Sequence, residues 1–104
     1  MYRHLEVLTI SPGVQETAGA ATAAFAIPEN AGGRARRVAV RVVTATETMY
    51  VLPVVSGSGA VTAETGIPVS KENPIVLNVS GFSHLAALRA ASADVVFNIT
   101  PIED

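Results

Sequence analysis

The sequence has no cysteine, no tryptophan and a single lysine, and charged residues make up only 15% of it. Without cysteine, the chain cannot form disulfides, thiolate nucleophiles or thiolate metal ligands. Seven basic and nine acidic residues give a formal charge of −2, which provides no positive field for nucleic acid or anionic lipid. No stretch approaches the roughly 20 apolar residues of a membrane-spanning helix, and none has the length of a signal-peptide core. We therefore expect a protein that binds neither nucleic acid nor a membrane.

What the chain does contain is a large excess of small and β-branched residues, with 17 Ala, 15 Val, 9 Thr and 6 Ile. β-Branched residues favour strands, and the scarcity of Leu, Lys and Glu disfavours a helical bundle. Short alternating runs are separated by Gly, Pro, Asn and Ser. The pattern predicts one all-β domain over residues 1–104, an antiparallel β-sandwich or jelly roll of about seven to nine short strands. Short flexible arms are expected at 1–3 and 102–104.

Two segments show the clearest strand alternation, residues 34–44 and residues 94–100. Side chains alternate between the two faces of a strand, so one set in each segment should face the core and the other should face outward. The predicted core residues are Val38, Val40 and Val42 in the first segment and Val95, Phe97 and Ile99 in the second.

Other elements are less sharply marked. Residues 18–24 are rich in alanine and could form a short helix, but Gly19 and Thr22 favour a strand. The pattern over residues 48–55 predicts a strand. Pro53 has no N–H to donate, so this strand should lie at a sheet edge or contain a bulge. The Ser-Gly repeat at 56–59 predicts a tight turn, after which residues 60–62 could return as a hairpin partner.

Candidate catalytic and metal-binding residues do not converge along the sequence. His4 and His84 are isolated from each other and from acidic residues at ligand spacing, so no metal site is predicted. Ser83 and His84 are adjacent, and neighbouring strand residues point to opposite faces, so their side chains are not expected to meet. The carboxylates are scattered singly. We expect no enzyme activity and no cofactor.

The sharpest local feature is a group of arginines in which four of the chain's six fall within eight positions: Arg34, Arg36, Arg37 and Arg41. On one continuous strand, Arg37 and Arg41 would lie on the open face, while Arg34 and Arg36 would lie on the valine face at the start of the strand. Two interpretations remain. The arginines could dock on an acidic protein surface, or they could keep an apolar sheet face soluble and discourage edge pairing.

The order of several short motifs resembles a known class of virion protein. Phe25-Ala26-Ile27-Pro28 leads through a Gly-containing loop to the Arg-Val-Ala-Val-Arg-Val run at 37–42. Three further segments follow: Met49-Tyr50-Val51-Leu52, Gly66-Ile67-Pro68-Val69 and the strand at 74–81 that ends at Gly81. Over residues 22–102 this succession resembles the capsid decoration, or cement, proteins of tailed bacteriophages. The resemblance implies a β-sandwich that binds the outside of an icosahedral head and stabilises it, often as a trimer.

Under this interpretation, the partner is the major capsid protein, and the chain is made in the host cytoplasm and located on the capsid exterior. The low charge also favours a homo-oligomer, in which subunit contacts cover apolar area. The predicted partner contacts are Tyr2, Arg3, Arg34, Arg36, Arg37 and Arg41.

Two alternatives stay open. A head–tail connector or tail component has the same sequence features as a decoration protein. A small carbohydrate- or ligand-binding β-sandwich would need exposed aromatic rings, and Tyr2 and Tyr50 are the only tyrosines in a chain without tryptophan.

Overall fold

The structure, a computed structural model, describes residues 9–10, 13–30, 33–34, 36–44 and 47–103. Within these residues the chain forms strands only, and the described part holds no helix that is long and apolar enough to span a membrane. The strands are β1 (Thr9–Ile10), β2 (Val14–Ala18), β3 (Ala23–Ala26), β4 (Glu29–Asn30), β5 (Gly33–Arg34), β6 (Arg37–Val42), β7 (Thr48–Val54), β8 (Ile67–Ser70), β9 (Ile75–Asn78), β10 (His84–Arg89) and β11 (Val95–Glu103).

Eight of these strands form two antiparallel sheets. The first sheet has the order β2-β11-β6-β9, with β1 also paired to β11, and the second has the order β3-β10-β7-β8. Along the chain these strands alternate between the sheets, except that β7 and β8 are consecutive in the second sheet. Eight strands wound between two sheets in this order make a jelly roll. The predicted all-β antiparallel sandwich is therefore confirmed.

The core lies between the inner faces of the two sheets and consists almost entirely of β-branched and small side chains. Phe97 from the first sheet meets Phe25 from the second edge to face, with ring centroids 5.5 Å apart. The predicted core residues of β6 and β11 are all buried. The core cluster comprises Ala18, Ile27, Val38, Val40, Val42, Met49, Val51, Val69, Val79, Leu85, Ala87, Val95, Phe97 and Ile99.

Pro53 and Pro68 lie within strands of the second sheet. Neither stands at a position whose backbone N–H would donate a hydrogen bond to a neighbouring strand. Val54 directs its carbonyl toward the β10 side, where it accepts from the N–H of Ser83, so the Pro53 nitrogen faces the opposite side. On that side β8 pairs with β7 only as far as Val51. The prediction of an edge strand is wrong for β7 as a whole, because β7 lies between β10 and β8. At Pro53 itself, however, the strand has a free edge.

In the first sheet, β1 and β2 pair with different parts of β11. Gly13 directly precedes β2 and lies against the β11 backbone, because a Cβ at this position would be 2.5 Å from the carbonyl oxygen of Ile99. Only glycine fits so close an approach. Pro101 falls in the part of β11 between the residues paired with β2 and those paired with β1.

The connection between β7 and β8, residues 55–66, lies against the outer face of the second sheet, and we call it the cover segment. At its end, a Cβ on Gly66 would be 2.6 Å from the Cβ of Tyr50, whose side chain faces outward because its neighbours along β7 are in the core. In its middle, the Val61 N–H donates to Thr22 Oγ1 at 2.9 Å, just before β3. The segment therefore spans the sheet from β7 to the β3 edge.

The cover segment creates a second, smaller apolar layer. Val61 and Ala86 are fully or almost fully buried, at 2% and 0% exposure, yet neither belongs to the core cluster between the sheets. Ala86 lies on β10 opposite Leu52, and both face away from the core. The expected hairpin partner at 60–62 is therefore wrong, because burial against the sheet and the bond to Thr22 hold this segment instead.

Two further expectations need correction. The alanine-rich segment does end in a strand, β3, but Val14–Ala18 forms the additional edge strand β2, which the sequence pattern did not indicate. Residues 102–103 are not a flexible arm, because Ile102 and Glu103 belong to β11 and pair with β1. The expected arm at 1–3 and Asp104 lie outside the described residues.

We expect Val61→Ala to lower the free energy of unfolding by about 1.5–3 kcal/mol, because it removes buried methyl groups and leaves a cavity. The matched control is Val55→Ala in the same segment, where the side chain is 71% exposed and a change within about 0.5 kcal/mol is expected. Urea unfolding of both variants measures this. Equal losses would show that the cover segment does not form an apolar layer.

We expect Gly13→Ala to lower the free energy of unfolding by about 1–3 kcal/mol, because the added methyl group would force the β11 backbone away. The control is Gly19→Ala, where the nearest atom to an added Cβ is Asp94 Oδ1 at 3.8 Å. Thermal unfolding followed by circular dichroism compares the two. A Gly13→Ala protein as stable as the control would contradict the close approach of Gly13 to β11.

Candidate docking face

The two outer faces of the sandwich differ in how they are covered. On the second sheet, the cover segment lies across the face and buries Ala86 beneath it. On the first sheet, none of the outward-facing residues is fully buried, and we call this surface the open face. Its strand positions are Gln15 and Thr17 on β2, Val96, Asn98, Thr100 and Ile102 on β11, Arg37, Ala39 and Arg41 on β6, and Val76 and Asn78 on β9.

The charged side chains at the described strand positions of the open face are arginines. Its strand positions include two arginines and no aspartate or glutamate. Arg37 and Arg41 lie on β6 about 13 Å apart, with Ala39 between them. Ala39 pairs with Thr100 on one side and Val76 on the other, and Val76 is 59% exposed. The face therefore presents two arginines around a patch of small and apolar side chains.

The structure places the predicted contact residues in different elements. Arg37 and Arg41 point outward from the first sheet, as predicted. Arg36 is exposed in a bend before β6, and Arg34 lies in β5, opposite Glu29 of β4. The expectation that Arg34 and Arg36 share the valine face is wrong, because residues 34–44 do not form one continuous strand. Tyr2 and Arg3 lie outside the described residues.

One end of the open face holds a shallow depression of about 300 Å³ lined by Arg41, Val42, Val43 and Lys71. Lys71 comes from the turn between β8 and β9, 30 residues after Arg41, and nothing in the sequence links it to the arginines. The fold places both residues at one depression, because the β8–β9 connection passes from the second sheet to the first beside β6.

The same end of the open face is held by hydrogen bonds beyond the last residue of β6. The Val43 N–H donates to the Val96 carbonyl at 2.7 Å, and the Val96 N–H donates to Thr44 Oγ1 at 2.8 Å. The Thr44 hydroxyl also contacts the Val96 carbonyl at 3.3 Å. The Thr44 side chain thus extends the β6–β11 ladder and fixes the position of Val43 beside the depression.

Ser83 and His84 meet, contrary to expectation. Ser83 Oγ lies 2.7 Å from His84 Nδ1. The alternation rule does not apply to this pair, because β10 begins at His84 and Ser83 lies in the bend before it. The imidazole rests beside the cover segment, with Nε2 3.4 Å from where a Cβ on Gly57 would be. No carboxylate among the described residues contacts the ring.

The other charged groups are spread over the described part of the chain. Arg89 and Asp94 form an ion pair at 2.6 Å across the β10–β11 connection. No three His, Asp or Glu side chains among the described residues are close enough to hold a metal ion together.

We expect Ser83 to behave as an ordinary serine, because nucleophilic activation needs a base that a third group orients, together with donors that stabilise an oxyanion. A fluorophosphonate probe followed by mass spectrometry tests this, and the expected result is an unmodified chain. A single adduct at Ser83 that disappears in the His84→Gln variant would contradict the expectation of no enzyme activity.

Comparison with protein-family models, with curated proteins and with solved structures finds no match to this chain.

Proposed function

We propose that this protein is a structural subunit of a virus particle, a capsid decoration protein that binds the outer surface of an icosahedral phage head and stabilises it. In this proposal the partner is the major capsid protein, and the chain acts as a homo-oligomer, with a trimer favoured. The protein acts by binding. Its open face meets the shell, and its cover segment faces the solvent.

The topology supports the proposal at the level of architecture. The jelly roll occurs in viral capsid proteins, and also in lectins and cupins, so it is compatible with a virion role but does not select one. The choice between these roles therefore depends on the surface residues of this chain.

The observation that carries the proposal is the contrast between the two outer faces. A chain of this size can cover one face with its own residues, and it uses residues 55–66 on the second sheet. On the first sheet, Val43 and Val76 stay exposed, at 41% and 59%, near Arg37 and Arg41. Flat apolar patches with a charged rim are typical of protein–protein contacts. A shell of many identical subunits offers a broad surface for such a contact.

The carbohydrate-binding alternative finds less support. Tyr50, the tyrosine within the described residues, lies half-buried beneath the end of the cover segment. It therefore does not offer the exposed ring on which a sugar would stack.

The proposal predicts binding to bare heads. Heads assembled from the major capsid protein of the same genome, prepared without this chain, should bind it saturably and melt at a higher temperature, and the free protein should sediment as an oligomer. Sedimentation velocity and scanning calorimetry measure these outcomes. A monomer that leaves the heads bare and their melting temperature unchanged would refute the proposed function.

The orientation of binding is tested by charge placed on each face. Ala39→Glu puts a carboxylate at the centre of the open face and should weaken head binding about tenfold or more, because like charge and added bulk oppose a close contact with an acidic shell. The control, Ala60→Glu, puts the same charge on the exposed cover segment and should bind normally. Circular dichroism confirms that both variants are folded. Equal binding by both variants would exclude the open face as the contact.

A further inference from the structure

Two cationic side chains line the depression at the end of the open face. Neither the Arg41 guanidinium nor the Lys71 ammonium makes a hydrogen bond or ion pair with any described residue, whereas Arg89 is held by Asp94 at 2.6 Å. Glu72 follows Lys71 in the same turn but does not line the depression. Two positive side chains that line one small depression, without a carboxylate partner among the described residues, favour the binding of an anionic group there.

The residues that line the depression indicate which kind of anionic group fits there. Val42 is buried at 1% exposure, whereas Val43 is 41% exposed, so Val43 supplies the apolar surface beside the two cations. A guanidinium binds a planar carboxylate through two parallel N–H donors, and an ammonium adds a compact charge. A carboxylate at the end of a short aliphatic stem can contact both the cations and Val43. A free inorganic anion would use only the cations.

We propose that the depression between Arg41 and Lys71 binds a glutamate side chain of the partner protein. Charge complementarity selects an acidic protein segment as the occupant. The inference rests on the proposed function, since it names the chemistry of the capsid group that the open face meets.

The first test uses a defined probe, an acetylated and amidated Gly-Glu-Gly-Glu-Gly peptide, with the matching Gly-Gln-Gly-Gln-Gly peptide as control. Amide resonances of Val42, Val43 and Lys71 should shift on titration with the glutamate peptide and not with the glutamine peptide. Inorganic phosphate at equal charge concentration should produce smaller shifts at the same amides. Equal shifts with phosphate would overturn the assignment to a carboxylate on an aliphatic stem.

Variants with one charge removed locate the site. Arg41→Gln and Lys71→Gln should each weaken the apparent affinity for the glutamate peptide about fivefold. Arg36→Gln removes the same charge from an exposed residue outside the depression and should change the affinity by less than about twofold. Equal weakening in all three would indicate general attraction to a cationic surface and would overturn the site.

Head binding separates this inference from the proposed function. If wild-type protein and both variants coat the heads equally well, the depression is not the contact for a capsid glutamate, and the inference fails while the proposed function stands. If the wild-type protein leaves heads bare, the proposed function fails. The peptide titration then decides by itself whether the depression binds glutamate.

Discussion

The alternation of side chains along β6 and β11 is the constraint on which the rest of the molecule depends. Each valine that enters the core from β6 forces its neighbours to the outside, so burial of Val38, Val40 and Val42 places Arg37, Ala39 and Arg41 on the outer face. A shift of one residue in the register would bury two arginines and expose the valines. The chemistry of the open face is therefore set by the same contacts that stabilise the fold.

The two outer faces show how a short chain divides its residues between stability and binding. The connection between β7 and β8 folds back over the second sheet and adds Val61 to a small apolar layer. Among the described residues, none of the outward strand positions of the first sheet is fully buried. Under the proposed function, the partner surface covers Val43 and Val76, the exposed valines near the arginines of this face.

Much of the fold could be predicted from period-two patterns, because these report burial directly. Edge strand β2 could not, since its residues are mostly exposed and so carry no alternation. Pro53 suggested an edge strand because sequence alone does not show how far β8 extends along β7. The expected separation of Ser83 from His84 failed because β10 begins only at His84, so Ser83 lies in the bend before the strand, where side chains do not alternate.

The candidate site was predictable only in part. The outward positions of Arg37 and Arg41 follow from their spacing relative to the valines of β6. The approach of Lys71 to Arg41 depends on a connection between the two sheets, which no local pattern encodes.

The most direct test of the account is a reconstruction by electron cryomicroscopy of heads coated with this protein. We predict that β6 and β11 of each bound subunit face the shell, with Arg41 and Lys71 against an acidic side chain, and that residues 55–66 face the solvent. A reconstruction with residues 55–66 against the shell and the arginines in solvent would contradict the account.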